Sequence, residues 1–302
     1  MWYTEQGTGF PMLTLAPGGM RSGVSLWEVA AINPLTAYAG QYKMIAMDQR
    51  NAGQSAGPLE AGDPWGAYAA DQLAVMDHLG IDRFLVFGCC IGGPFILKLC
   101  ELAPERVVAA VLEQPVGIIE SNRELFDSIW KQWGERLAGE RDDLGGDEIE
   151  AFATAMWAPG FAVSVTRDQV RSFRTPMLVL PGVDEYHPAE TGREIAALAP
   201  AAELLEPWKD PEHLPAATEA VGRFLRDHTR ARSPAGPPAS RRGAPGHHAG
   251  MAGAPGACLA TQRRRSRSAW PAKPRPSSDL PLAAVRRPRW VSQVVSAGGR
   301  HS

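Results

Sequence analysis

The residues best suited to covalent chemistry lie between Gly88 and Gly92, where the chain reads Gly-Cys-Cys-Ile-Gly. A cysteine at the centre of a Gly-x-Cys-x-Gly frame can project a nucleophile from a sharp turn, because small flanking residues let a strand and a helix pass closely. Cys90 fits this frame, whereas a frame centred on Cys89 would need glycines at positions 87 and 91. The N–H groups at a helix N-terminus would also stabilise a thiolate there.

The elements on either side of this turn are of the required types. Residues 84–87 form an unbroken apolar run, which is typical of a strand buried on both faces of a parallel sheet. Pro94 suits the first turn of a helix, and Pro104 ends that helix. The sequence therefore predicts a strand, a tight turn and a helix. A glycine-rich connection without chemical function is the alternative interpretation.

This stretch resembles the nucleophile elbow of the α/β-hydrolase fold, and a cysteine followed by the glycine pair Gly92–Gly93 resembles dienelactone hydrolases and related cysteine-dependent members. The resemblance implies an α/β fold with a mostly parallel sheet flanked by helices. It also implies an oxyanion loop before Cys90, and an acid and then a histidine after it.

The expected oxyanion loop follows an early strand at 11–16, where the chain reads Pro17-Gly18-Gly19-Met20. Oxyanion stabilisation requires a backbone N–H aimed at the developing charge, and glycine lets the backbone approach. The resemblance assigns this donor to Gly19, with Met20 as the alternative. It assigns the second donor to Ile91, the residue after the nucleophile.

The resemblance places the acid after the strand at 176–181, which ends in a Gly-x-Asp turn. Asp184 occupies the matching position, and the adjacent Glu185 is the alternative. The histidine is expected in the loop between the last strand, 202–206, and the last helix, 216–226, which points to His213. His187 is interpreted as too close to the acid in sequence to be its partner. The predicted triad is therefore Cys90, Asp184 and His213, in the chain order that the fold requires.

Three segments of different character follow from these assignments. Residues 1–114 and 176–230 are predicted to form the α/β-hydrolase core, and residues 115–175 a small helical cap. The cap is rich in aromatic residues at helical spacing, most of which we expect to pack between cap and sheet. Three of them are also candidates for lining an apolar substrate pocket: Trp130, Trp133 and Trp157.

The third segment, residues 231–302, differs from the rest in charge and composition. It holds 13 Lys and Arg residues and one acid, although the whole chain has a formal net charge of −2. It is rich in Pro, Ala, Gly, Ser and Arg, and it lacks periodic apolar residues. Such a segment cannot bury enough surface to offset its chain entropy, so we predict disorder. Its basic runs could contact nucleic acid, but a non-native extension is the interpretation we favour.

Composition limits the remaining possibilities. The four cysteines show neither a disulfide framework nor metal-ligand spacing, so we predict no metal and no cofactor. No apolar run reaches the length of a membrane span, and residues 1–5 do not resemble a secretory signal. These features predict a cytoplasmic protein whose partner is a small-molecule substrate rather than a membrane.

The function that these residues predict is hydrolysis through an acyl-enzyme. Cysteine is a better nucleophile than serine near neutral pH, which favours esters, lactones or thioesters of a small apolar substrate over amides. An acyltransferase is an alternative if an acceptor competes with water. A non-catalytic ligand-binding protein of the same fold is a second alternative, in which Cys90 has no chemical role.

Overall fold

The computed structural model describes residues 1–158 and 160–230, whose centre is a seven-stranded sheet. The predicted tail, 231–302, lies outside the described residues. The strands cross the sheet in the order β1-β3-β2-β4-β5-β6-β7. In chain order they are β1 (Tyr3–Gln6), β2 (Phe10–Leu15), β3 (Tyr42–Met47), β4 (Phe84–Cys89), β5 (Val107–Glu113), β6 (Met177–Leu180) and β7 (Ala202–Leu204).

Neighbouring strands of this sheet run parallel, except that β1 runs antiparallel to β3. Parallel strands are buried on both faces, and the residues of β4 and β5 accordingly have almost no exposed surface and are apolar except for Glu113 at the end of β5. The predicted fold class, a mostly parallel sheet flanked by helices, is confirmed.

The helices connect these strands and vary in length. They are α1 (Pro34–Ala37), α2 (Pro64–His78), α3 (Gly92–Leu102), α4 (Arg123–Glu140), α5 (Gly146–Trp157), α6 (Arg167–Ser172), α7 (Ala189–Leu198) and α8 (Leu214–Arg230). Local sequence explains the bounds of α2: the Asp63 side chain accepts the Gly66 N–H at 2.9 Å, Pro64 occupies the first turn, and Gly80 adopts a left-handed conformation just beyond the helix. Among the described residues, no helix is long and apolar enough to cross a membrane.

Two apolar cores lie on the opposite faces of the sheet, because alternate residues of each strand point to opposite sides. Phe84 and Val86 of β4 belong to the core that includes α3 and the aromatic residues of α4 and α5. Leu85 and Phe87 belong to the other core, which includes Trp208 and one face of α8. The helices thus cover both faces of β4, the strand that leads to Cys90.

The segment between β5 and β6 contains α4, α5 and α6, within the region predicted as a helical cap. Helix α4 packs against α5 and against the 3-10 turn Gly19–Arg21, while α5 packs against α2. The turn at Gly19–Arg21 lies within the predicted oxyanion loop. This helical segment therefore lies beside one part of the expected site.

Candidate active site

Cys90 occupies the sharp turn between β4 and α3. Its φ is 60°, a left-handed conformation that few non-glycine residues adopt and that costs about 1–3 kcal/mol. Its N–H donates to the Glu113 carbonyl at 2.9 Å, which holds the turn against the end of β5. A strained residue that is fixed in this way is typical of a functional position.

Glycines let the two backbones cross at this turn. A methyl group at Gly88 would lie 2.6 Å from the carbonyl oxygen of Gly92, and one at Gly92 would lie 2.5 Å from that of Leu15. Real side chains do not approach backbone atoms so closely, so both positions require glycine. The spacing of glycines in the sequence thus reflects the crossing of strand and helix.

The two adjacent cysteines have different environments. Cys89, the last residue of β4, is fully buried, and burial together with the neighbouring Glu113 carboxyl raises the pKa of its thiol. Cys90 retains partial exposure. Burial acts to raise the pKa of Cys90 as well, but His187 and the backbone N–H groups of Gly18 and Ile91 outweigh it, so that this pKa is lowered. These environments favour Cys90 over Cys89 as the candidate nucleophile.

Two backbone N–H groups, of Gly18 and Ile91, thus interact with the Cys90 sulfur. Ile91 is one of the two oxyanion donors predicted from sequence, and Gly18 precedes the predicted Gly19 by one residue; which N–H groups would face a substrate oxyanion, including those of Gly19 and Met20, stays a prediction. Gly18 has a φ of 117° and caps the 3-10 turn that begins at Gly19. Met20 instead packs in the core, with 5 % of its surface exposed.

The turn that carries Gly18 is held from both sides. The Ser22 hydroxyl donates to the Ala16 carbonyl at 2.7 Å, and the Gln49 N–H donates to the Ser22 carbonyl at 3.0 Å. The Asp48 carboxylate accepts the Val24 N–H at 2.8 Å. These bonds fix the loop that follows β2 against the end of β3, so the Gly18 N–H is a preorganised donor.

A carboxylate and a histidine meet in the loop that follows β6. His187 Nδ1 lies 2.7 Å from Asp184 Oδ1, which also accepts the backbone N–H groups of Tyr186 and His187, each at 3.1 Å. Lys209 Nζ lies 3.3 Å from Asp184 Oδ2. Burial acts to raise the pKa of Asp184, but His187 and Lys209 lower it to about 2, so the carboxyl is ionised at neutral pH.

The imidazole of His187 lies between this carboxylate and Cys90. Burial disfavours its charged form, but the charges and hydrogen-bonding atoms of Cys90 and Asp184 outweigh burial and raise the pKa of His187 to about 9. Asp184 occupies Nδ1, so Nε2 is the ring nitrogen available to Cys90. Nε2 is buried and has no hydrogen-bond partner found within the described residues, while Cys90 is the first favourable influence on the pKa of His187. The pair can therefore exist as thiolate and imidazolium.

Comparison with known proteins identifies this arrangement of turn, sheet and loops. A family model described as alpha/beta hydrolase fold matches residues 11–175, which is more than half of the chain. The chain belongs to the α/β-hydrolase fold family.

Individual relatives of this fold are more distant. A Klebsiella pneumoniae protein named for carbamate hydrolysis is 31 % identical over 104 residues, which cover 34 % of this chain and 37 % of that protein. The match thus spans little more than a third of that relative. One similar solved structure is a meta-cleavage product hydrolase from Pseudomonas fluorescens, with a TM-score of 0.55 and 18 % identity over 74 % of this chain and 93 % of that chain. Another is an enol-lactonase from Burkholderia xenovorans, with a TM-score of 0.51 and 21 % identity over 74 % of this chain and 96 % of that chain.

Within this α/β-hydrolase fold, the histidine beside the acid is not the one expected from sequence. His213 precedes α8, and its Nδ1 lies 3.7 Å from carboxylate oxygens of both Asp210 and Glu212, with 39 % of its side chain exposed. Asp184 contacts His187 instead. The two residues form an antiparallel bridge, and the His187 N–H donates to the Asp184 carbonyl at 3.0 Å. This tight turn folds His187 back onto the acid, so the expectation that it was too close in sequence is corrected.

The second acid considered from sequence, Glu185, has a different contact. Its backbone carbonyl accepts the Asn122 side-chain amide at 2.9 Å. Among the described residues, none of the hydrogen bonds found at His187 involves the Glu185 carboxylate. Of the two adjacent acids, Asp184 is therefore the one that meets the imidazole.

A second buried carboxyl, Glu113, lies behind the nucleophile turn and was not singled out from sequence. Glu113 pairs with Cys89 across β4 and β5, is fully buried, and accepts the Ile32 N–H at 3.0 Å through Oε1. Burial raises its pKa to about 7, although Ile32, Lys209, Cys89 and His187 act to lower it. The sequence feature that could have indicated this buried carboxyl is the glutamate at the end of the apolar strand β5.

The three tryptophans considered for a substrate pocket take part in packing. Trp133 and Trp157 are buried, the first against Phe152 and the second against Trp65 and Phe126. Trp130 is partly buried against the same core. A surface cleft of about 490 Å³, between the turn at 56–59 and the segment 141–148, includes none of these tryptophans in its lining, and none of Cys90, Asp184 and His187.

The residues described by the structure contain no cluster of three or more His, Cys, Asp or Glu side chains that could hold a metal ion. The groups found around Cys90 are a thiol of lowered pKa, a histidine with a carboxylate, and two backbone N–H donors.

Proposed function

We propose that this protein hydrolyses an ester, lactone or thioester of a small apolar acid, with Cys90 as nucleophile, His187 as base and Asp184 as the group that orients His187. The observation that carries the proposal is the chain of contacts from the strained Cys90 turn to His187 and on to Asp184, at 2.7 Å in its last step. A nucleophile, a base and an orienting acid in this arrangement are what acyl transfer requires.

The first half of the reaction would transfer the acyl group to sulfur. His187 takes the thiol proton, and the Cys90 thiolate attacks the carbonyl carbon. The carbonyl electron pair moves onto oxygen, where the Gly18 and Ile91 N–H groups, which act on the adjacent Cys90 sulfur, would serve as donors. When the intermediate collapses, the bond to the alcohol or thiol breaks, and the leaving group takes its proton from His187. The product is a thioester on Cys90.

The second half would return the enzyme to its starting state. His187, neutral once more, removes a proton from water as the water oxygen attacks the thioester carbon. The same backbone donors stabilise the second oxyanion. Collapse breaks the carbon–sulfur bond and releases the acid, and Cys90 regains its proton or its ion pair with His187. We infer that α4–α6 serve as a cap over the substrate, a role supported by the contact of α4 with the turn Gly19–Arg21.

Acyl-adduct mapping tests this function. The full chain is mixed briefly with p-nitrophenyl butyrate and quenched in acid, and its peptides are analysed by mass spectrometry. We expect a butyryl group on Cys90 and a burst of p-nitrophenolate, both abolished in Cys90→Ala. Cys100→Ala, which removes a buried thiol of α3, is the matched control and should behave like the parent protein. Unchanged release by Cys90→Ala, or an adduct elsewhere, contradicts the proposal.

A further inference from the structure

The loop between β7 and α8, where the histidine was expected, places Lys209 beside Asp184 instead. Asp184 Oδ1 contacts three nitrogen atoms: the backbone N–H groups of Tyr186 and His187, and His187 Nδ1. The other oxygen, Oδ2, is 3.3 Å from Lys209 Nζ. Within the described residues, Lys209 is the hydrogen-bond partner found for Oδ2. The carboxylate is thus held from both sides, by the histidine turn on one oxygen and by a cation on the other.

Lys209 is held in place by the loop that carries it. The neighbouring Trp208 is 2 % exposed, and its indole N–H donates to the Pro181 carbonyl at 2.7 Å, three residues before Asp184. The Leu205 N–H donates to the Val179 carbonyl of β6 at 2.9 Å. The Lys209 side chain itself is 28 % exposed. Its backbone is therefore held by the loop, while its amine keeps partial access to water. An ordinary surface lysine lacks this support.

We propose that Lys209 is a positioning residue that holds Asp184 and limits the basicity of His187, so that His187 is unprotonated when it must activate water. The inference rests on the proposed two-step hydrolysis. A cysteine enzyme needs opposite properties from its histidine in the two steps. Acylation is favoured by a stable imidazolium beside the thiolate, whereas deacylation needs a neutral imidazole as general base.

The charges around His187 show why a cation is useful there. Cys90, on the elbow, and Asp184, on the same turn as His187, stabilise the imidazolium, and the buried Glu113 of β5 lies within electrostatic range. The ring of Tyr186 is also adjacent. In the acyl-enzyme the sulfur carries no charge, but the ionised Asp184 carboxylate remains. Lys209 brings a positive charge to this group through its contact with Asp184 Oδ2, and this charge should partly offset the effect of the Asp184 carboxylate on the imidazole.

The substrate-free test is an NMR titration of His187 in a Cys90→Ala background, which removes the sulfur charge as acylation would. The resonance is assigned by its loss in His187→Gln. Adding Lys209→Met should raise the pKa of His187 by about one unit, the size expected for removing one partly screened charge several ångströms away. Adding Lys209→Arg should leave it near the starting value. Lys43→Met is the control, because Lys43 pairs with Glu5 at the sheet edge.

The kinetic test uses the pre-formed acyl-enzyme. Deacylation of Lys209→Met should be about tenfold slower at pH 7 and should recover at higher pH, because one unit of pKa is a factor of ten in neutral imidazole. An unchanged His187 pKa in Lys209→Met overturns the inference, as does an equal effect of Lys209→Arg. Because the titration needs no substrate, either result can be obtained even if Cys90 proves not to be the nucleophile, so the two proposals fail separately.

Discussion

Replacing His187 with alanine should slow alkylation of Cys90 by iodoacetamide at pH 7 by about two orders of magnitude, whereas His213→Ala should change the rate by less than about twofold. Alkylation requires the thiolate, so its rate reports the fraction of Cys90 that is ionised. His187 contributes a positive charge and a hydrogen bond to that thiolate. His213 contacts Asp210 and Glu212 instead.

The magnitude follows from the interaction between the two groups. The pKa of His187 rises from 6.5 to about 9 despite its burial, and the first favourable cause is the Cys90 charge. That change corresponds to roughly 3 kcal/mol of preference for the imidazolium. Loss of one opposite charge within about 4–6 Å shifts a pKa by about 1–3 units, so loss of His187 should lower the thiolate population by a factor of about 10². Without His187, burial raises the Cys90 pKa, and the two backbone donors alone oppose it.

The assay measures iodoacetamide labelling of Cys90 by peptide mass spectrometry between pH 5 and 10. The parent protein and His213→Ala should label rapidly at pH 6–7, while His187→Ala should label slowly there and approach the parent rate only above pH 9. Circular dichroism checks that each variant is folded. Ester turnover should follow the same order, with a loss of about 10²–10⁴ for His187→Ala.

Three results would refute this reasoning. If His187→Ala labels at the parent rate at pH 7, the imidazole does not stabilise the thiolate, and the ion pair is not formed. If His213→Ala instead shows the slow, alkaline-shifted profile, the loop before α8 must supply the histidine in solution. Labelling of Cys89 ahead of Cys90 would show that the more buried thiol is the reactive one, contrary to its raised pKa.

Three further predictions concern the acid, the buried carboxyl and the turn. Asp184→Asn should lower turnover of an activated ester by about two to four orders of magnitude, while Glu185→Gln should have little effect, and equal losses in the two variants would contradict the assignment of the acid. The folded-state pKa of Glu113 is raised to about 7, so between pH 4.5 and 7 this residue is protonated in the folded protein but ionised in the unfolded chain. The free energy of unfolding therefore falls as pH rises through this range. In urea unfolding, Glu113→Gln should be more stable than the parent by about 2 kcal/mol at pH 8 but not at pH 4. Gly88→Ala should lower the free energy of unfolding by more than about 3 kcal/mol in the same assay, because the added methyl group meets the Gly92 carbonyl. The control Gly139→Ala, at an open position on α4, should be neutral or stabilising. Equal stabilities of the two variants would contradict the close crossing at the turn.

Much of the architecture follows from local sequence rules. The apolar run at 84–87 and the glycines at 88 and 92 predict a buried strand that meets a helix at a sharp turn, and the structure has β4, Cys90 and α3 at these positions. Such elements are predictable because periodicity, proline position and the steric need for glycine act within a few residues. The position of Ile91 beside the sulfur follows from the same local geometry.

The loop after β2 contributes the Gly18 N–H to the surroundings of the Cys90 sulfur, one residue before the predicted donor Gly19. A run such as Pro17-Gly18-Gly19-Met20 tells us that the backbone turns but not which N–H points at the sulfur. That direction depends on the φ of 117° at Gly18 and on the bonds made by Ser22 and Asp48, which connect segments far apart in sequence. Tertiary hydrogen bonds determine the direction of each N–H group, and a short stretch of sequence does not show which tertiary bonds will form.

The histidine is the more instructive case. Sequence reasoning placed the imidazole by the order of elements, strand, loop and helix, and it excluded His187 because three residues separate it from Asp184. In a tight turn, however, residues three apart are the ones that face each other, and here the Asp184 side chain accepts the N–H groups of Tyr186 and His187 and so closes the turn. The same bonds that form the turn aim the His187 ring at the carboxylate. A sequence of the form Asp-x-x-His after a buried strand can therefore supply both the acid and the base, and the loop before α8 is then free to supply Lys209, whose charge acts on the same carboxylate from the other side.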